Sequence, residues 1–281
     1  MFYNFKPNVS LMLVAVVTAI LTSCGNVPQV MNYNPSRSTP VSFNQPGMMP
    51  GRPAMTSNQL LGQVNLVRDY IPDGRHARKY RRKMTPRYIT IHSTQNYSPA
   101  ADAMQHSKAL KNGKLRAYKR RGGNRIGYLV WHYSIDEGRV VQHLPDNEQG
   151  EHADFDGPGN NYSLGLEMCE NRGNSRSATV ERTAKLTAYL MKRHNIPVRN
   201  VVPHYHWPRV GLNTPNKNCP HFLLDNGRPG RKWRAFQDKV MVYYNLMNVP
   251  VAPAYNQQPS YARNQEGSAY SANRYGASAL R

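Results

Sequence analysis

The hydrophobic period of this chain switches repeatedly between two and 3.6 residues from Arg87 to Met247, and that alternation limits the fold more than any other feature. "RYITIHST" (87–94) has the strand period, with Ile89 and Ile91 on one face and Tyr88, Thr90 and His92 on the other. In "SPAADAMQHSKALKNGK", Ser98 is placed to cap a helix and Pro99 to occupy its first position. Ala103, Met104, Ser107 and Leu110 then share one face, and Gly113 stops the helix. "YLVWHYSI" and "RVVQHL" flank Asp136–Gly138 as the arms of a hairpin, and "SLGLEMC" (163–169) is a further strand. "SATVERTAKLTAYLMKRHN" and "RKWRAFQDKVMVYYNLM" carry the helical period; in the second, Trp233, Phe236, Val240, Tyr243 and Met247 form one apolar stripe. Strands interleaved with helices of this length predict an α/β domain with a central, mixed β-sheet flanked by helices.

The flanks have another composition. Residues 25–60 are rich in Pro, Asn, Ser and Gln without a sustained period, as in a disordered linker, and residues 250–281 form a polar tail of the same kind. The folded domain is therefore expected at 61–249, an ordinary length for a single domain. Ahead of the linker, Lys6 precedes an apolar run from Leu11 to Leu21, too short to cross a bilayer and suited to a signal peptide. The run ends in Leu-Thr-Ser-Cys, which resembles a bacterial lipobox whose cysteine, here Cys24, becomes the lipid-carrying first residue. An ordinary signal peptide that happens to contain a cysteine is the plainer alternative. Residues 1–24 thus predict a lipoprotein of the bacterial cell envelope, held on a membrane through Cys24, with the periplasmic face of the outer membrane as the expected place.

Against 16 Asp and Glu stand 37 Lys and Arg, a formal charge of +21, so the partners expected are anionic: nucleic acid, acidic headgroups or cell-wall polymers. Export argues against nucleic acid. Two basic runs stand out, "RHARKYRRKMTPR" (75–87) and "KNGKLRAYKRRGGNRIGY" (111–128). Such runs are ordinarily solvated loops; in an exported protein they can also hold the chain against anionic wall or headgroups. Nothing in the sequence suggests an oligomer, and a monomer is expected.

Once Cys24 is set aside, Cys169 and Cys219 remain, and in an exported protein two cysteines read first as a disulfide. A second reading starts from "HYHWPRVGLNTPNKNCPH" (204–221). Zinc takes imidazole nitrogen and thiolate sulfur, with three protein ligands in catalytic sites, so His92, His204 and Cys219 are candidate ligands. Their spacing alone leaves both readings open. Glu167 lies on the strand face opposite Leu164, Leu166 and Met168, beside Gly165, where it can reach a cavity; a solvated strand face is the ordinary alternative.

Four separated stretches, "YITIHST", "NYSLGLEMC", "VVPHYHW" and "KNCPHFLL", resemble in that order the zinc-dependent N-acetylmuramoyl-L-alanine amidases, the amidase type 2 family. The resemblance covers about Arg87 to Leu224. It implies a single domain like that of peptidoglycan recognition proteins, with Zn2+ as cofactor held by His92, His204 and Cys219. It implies Glu167 as the group that takes and returns the proton. Lys217 then stabilises the oxyanion formed on the amide carbonyl. The implied substrate is peptidoglycan or its muropeptides, cut between N-acetylmuramic acid and L-alanine. A non-catalytic peptidoglycan-binding lipoprotein of the same fold is the alternative; relatives that only bind wall usually lack the third ligand, which is present here. The chain departs from the family's "HxDW" pattern at His206, which in an extended segment points away from His204 and is left outside the ligand set. His132 and His152 resemble positions near the cleft, and His106, His143, His194 and His221 are read as structural or surface.

Overall fold

The computed structural model describes residues 54–117, 125–209 and 213–248; the leader with Cys24, the linker up to residue 53 and the polar tail lie outside them. Helix α1 (Ser57–Val64) begins inside the residues assigned above to the linker. Its start is a capping box: Thr56 Oγ1 accepts from Gln59 N–H, and the Gln59 side chain accepts from Thr56 N–H. Four polar residues in a row conceal such a signal.

Six strands form one sheet: β1 (Leu66–Arg68), β2 (Tyr88–Ser93), β3 (Tyr133–Ile135), β4 (Val140–Gln142), β5 (Ser163–Met168) and β6 (Val201–Pro203). They run in the order β1-β4-β3-β5-β2-β6, with β3 and β4 antiparallel and every other pair parallel. The mixed sheet and the 136–138 hairpin are thus as the sequence implies. Three-residue strands such as β1 and β6 span too few residues to show a period.

Helix α2 (Ala103–Lys111) is capped four residues later than expected. Ser98–Ala101 closes a turn with Pro99 in its second position, Ala101 N–H donating to Ser98 O, and Asp102 caps the helix by accepting from Gln105 N–H. The short α3 (Pro158–Asn161) leads into β5; α4 (Arg176–His194) and α5 (Arg231–Leu246) follow. Ile89, Ile91, Leu164 and Leu166 are fully buried in the same cluster as Leu60 and Val64 of α1, Leu186 and Leu190 of α4, and Trp233, Phe236 and Val240 of α5. At about 1.5–3 kcal/mol for each large apolar side chain removed from water, this face is the main source of stability. The other face carries α2, where Ala103 packs on Val141 and Cys169, together with the loops that form the site.

Candidate metal centre and its groove

The parallel strands β2, β5 and β6 end at the same border of the sheet, where α/β proteins keep their functional groups. In the register of β2 and β5, His92 stands opposite Glu167. Ile91 stands opposite Pro203 of β6, so the next residue, His204, falls beside His92. Cys219 arrives from the loop before Pro220, and its sulfur accepts a hydrogen bond from Ser93 N–H at 3.3 Å. One donor atom from each of His92, His204 and Cys219 lies within 4.8 Å of the others, and all three residues are buried.

Carbonyl oxygens at the periphery determine which atoms are free to bind. A carbonyl only accepts, so His152 Nε2, 3.2 Å from Ser163 O, carries that ring's proton, as does His204 Nε2, 3.2 Å from Ala153 O. Burial pulls both imidazoles down to about 3, so each is neutral with a single ring proton. His152 Nδ1 is then a bare acceptor, and His92 Nε2 donates to it across 3.0 Å. Burial, with the neighbouring histidines, also holds His92 neutral, which leaves its Nδ1 bare. Two unprotonated nitrogens, His92 Nδ1 and His204 Nδ1, therefore face each other at 2.9 Å. Lone pairs this close repel unless a cation lies between them. Two imidazole nitrogens and a thiolate are a donor set that suits zinc, so the residues fit the ion that the resemblance implies. Burial and the Glu167 carboxylate push the Cys219 thiol up to about 12, and a bound cation would reverse this by stabilising the thiolate.

Glu167 borders this cluster. Its Oε1 is 3.8 Å from His92 Nδ1, and its Oε2 is buried with no hydrogen-bond partner among the described residues. Burial raises its carboxyl to about 7; the Lys217 ammonium pulls it down and Glu170 adds to the rise. Lys217 also bears electrostatically on His92, His204 and Cys219. Two cavities of about 470 and 320 Å³ meet here and share Leu129, Trp131, Glu167 and Lys217 as walls. Together they make a groove past the cluster.

All five residues singled out in the sequence are thus in one place. The roles of the other histidines are more specific than the sequence told. His152 is the hydrogen-bond acceptor that orients His92, and its ring fills the space at Gly165, where a Cβ would meet it at 2.8–2.9 Å. His132 accepts from Gly165 N–H and donates to Glu148 O. His206 stands apart from the cluster, but not by extended-strand alternation: His204–His206 is a helical turn, and the exposed His206 ring packs edge-on against Trp207 at 4.6 Å. Arg125, Phe155 and Arg209 also line the larger cavity; the first lies in the second basic run and the last in the 204–221 stretch, but none was anticipated as a site residue. The disulfide reading fails in this structure: Cys169 and Cys219 are both free, and Cys169 sits under α2, 3.7 Å from His106 Nδ1.

Comparison with known proteins bears on the same region. The chain is 39% identical to the N-acetylmuramoyl-L-alanine amidase XlyA of Bacillus subtilis over 58% of its own length and 48% of that protein's. It is 34% identical to CwlH of the same organism, an enzyme of the same name, over 62% of this chain and 60% of that one. The match therefore spans about half the length of these relatives. The solved catalytic domain of XlyA superposes with a TM-score of 0.51 and 37% identity, over 63% of this chain and 99% of that domain. Residues 82–222, half of the chain, match the model of the N-acetylmuramoyl-L-alanine amidase family, Amidase_2, and the chain belongs to that family.

Proposed function

We propose that this chain hydrolyses the amide bond between N-acetylmuramic acid and the L-alanine of peptidoglycan, with zinc held by His92 Nδ1, His204 Nδ1 and Cys219 Sγ. The observation that carries this reading is the pair of bare Nδ1 atoms at 2.9 Å, beside a buried sulfur and an unpaired carboxylate oxygen. Zinc at such a place supplies Lewis acidity, polarising a carbonyl and acidifying water. Glu167 takes the proton of the attacking water and delivers it to the departing alanine nitrogen. Lys217, on the wall shared by the two cavities, faces the charge that grows on the carbonyl oxygen. Leu129 and Trp131 supply the apolar part of the walls beside Glu167 and Lys217.

The test is metal content and muropeptide hydrolysis on the full chain and its Glu167→Ala variant. The expected result is zinc in both, with new alanine amino termini released by the wild type and a rate lower by about 10²–10⁴-fold in the variant. Zinc in both with cleavage by neither would instead favour the non-catalytic wall-binding protein. The same reading takes the chain as a monomeric lipoprotein tethered through Cys24 by residues 25–55, ahead of α1, to the periplasmic face of the outer membrane. Incorporation of a labelled fatty acid that is lost in Cys24→Ala tests the anchor.

A further inference from the structure

The two basic runs meet in space. The His76 ring packs edge-on against Tyr128 at 5.7 Å, and any side chain at Gly113 would overlap that ring. Arg82 donates to Arg125 O at 3.3 Å, and the Arg116 guanidinium lies 4.3 Å over the Tyr128 ring. Residues 75–83 and the described limbs of the second run, 111–117 and 125–128, therefore meet on one side of the domain. Some of its cations are neutralised: Arg78 and Arg81 by Asp73 and Glu148, Arg125 by Glu151, Lys111 by Asp69. Arg75, Lys79, Lys83 and Lys114 are exposed, and among the described residues none of them has a carboxylate within 4.0 Å. Tyr80, 71% exposed, lies among them.

This face joins the groove. Leu129 N–H donates to Leu115 O at 2.9 Å, and both side chains line the smaller cavity together with Glu167 and Lys217. Lys114 and Arg116 flank Leu115 at its rim. Glu151 accepts from Ile126 and Gly127 N–H at 2.7 and 3.0 Å, which fixes the returning limb against the larger cavity. Exposed cations gain little from isolated partners but attract a polyanion collectively.

Building on the function proposed above, we infer that Arg75, Lys79, Lys83 and Lys114 form a docking surface for carboxylates of the wall polymer beyond the unit being cut. The free carboxyl groups of neighbouring stem peptides supply the repeating negative charge, and the polymer already in the groove brings them to this rim. A single soluble muropeptide is too short to occupy groove and face together, so the face acts only on polymer.

The experiment compares two charge-reversed quartets in the purified full chain. The front quartet is Arg75→Glu, Lys79→Glu, Lys83→Glu and Lys114→Glu. The back quartet, Arg199→Glu, Arg231→Glu, Lys232→Glu and Arg234→Glu, makes the same change in net charge around α5, on the opposite face of the sheet. Each is assayed for co-sedimentation with purified sacculi, hydrolysis of sacculi at 50 mM and 300 mM salt, hydrolysis of one soluble muropeptide, and binding to vesicles of anionic phospholipid. The front quartet is expected to lose binding to sacculi and to cut them about tenfold or more slowly at low salt, with the gap closing at high salt. It should cut the soluble muropeptide at the wild-type rate, and the back quartet should bind sacculi as the wild type does. Equal losses in both quartets, or none in the front one, would overturn the inference. Loss confined to lipid vesicles would do the same and assign the face to a membrane. Should the wild type fail on every substrate, the amidase reading falls, while sedimentation still decides this one.

Discussion

Gly165→Ala is a small change that reaches the candidate metal centre without touching His92, His204 or Cys219. A Cβ at Gly165 would lie 2.8 Å from His152 Cγ and Cδ2 and 2.9 Å from its Nδ1, closer than real contacts allow. Gly150 lies against the same ring, where a Cβ would also stand 2.8 Å from Cδ2. Overpacking of this kind costs about 1–3 kcal/mol. The displaced ring also gives up the hydrogen bond from His92 Nε2, and losing such an outer partner weakens metal binding by about 10–100-fold. His152→Ala should lower affinity similarly but leaves room for a Cβ. On that background Gly165→Ala should be neutral or stabilising by about 0.4–1 kcal/mol, since alanine only restricts the unfolded chain. The cycle thus predicts that the cost disappears or changes sign, with a coupling of about 1–4 kcal/mol. Urea unfolding of metal-stripped protein measures the stability terms, and competition with a chromophoric chelator measures zinc affinity. An equal cost of Gly165→Ala on both backgrounds would show that the His152 ring is not what the glycine accommodates.

Two further effects follow from groups remote from the ligands. Glu151→Gln should destabilise the fold by about 3–5 kcal/mol in urea, because it leaves buried Arg125 without its counter-charge and weakens the acceptor for two backbone N–H groups. Asp146 is buried, which raises its pKa, but hydrogen bonds from His194 and Tyr133 outweigh burial and hold it below the ordinary value. Its contribution is therefore present above the unfolded-state pKa of about 3.9 and is lost as pH falls through the lower folded value. Asp146→Asn should flatten the acid limb of the stability curve below about pH 4, read by urea unfolding across pH, and an unchanged slope would refute the assignment.

The residues of the candidate centre were legible as a group because each stands in a short, distinctive context, and the long helices because their apolar stripes span many turns. The stripe from Trp233 to Met247 is buried residue for residue as read, and so are Ile89 and Ile91. What was not legible is pairing. Whether His92 faces Glu167 depends on the register of β2 against β5, more than seventy residues on, and a slip of one residue would turn Glu167 into the helix-covered core. The tautomers are less accessible still, since they depend on Ser163 O and Ala153 O, backbone atoms that any sequence would supply. The same reasoning bears on the histidine at 206. Orientation of the ligands comes from His152 and from those two carbonyls, so no acid at 206 is required to hold His204, whose second nitrogen already has its acceptor. The departure from the family pattern therefore falls at a position that the local hydrogen bonding has made free to vary, on the exposed wall of a cavity that it shares with Asp154 and Trp207.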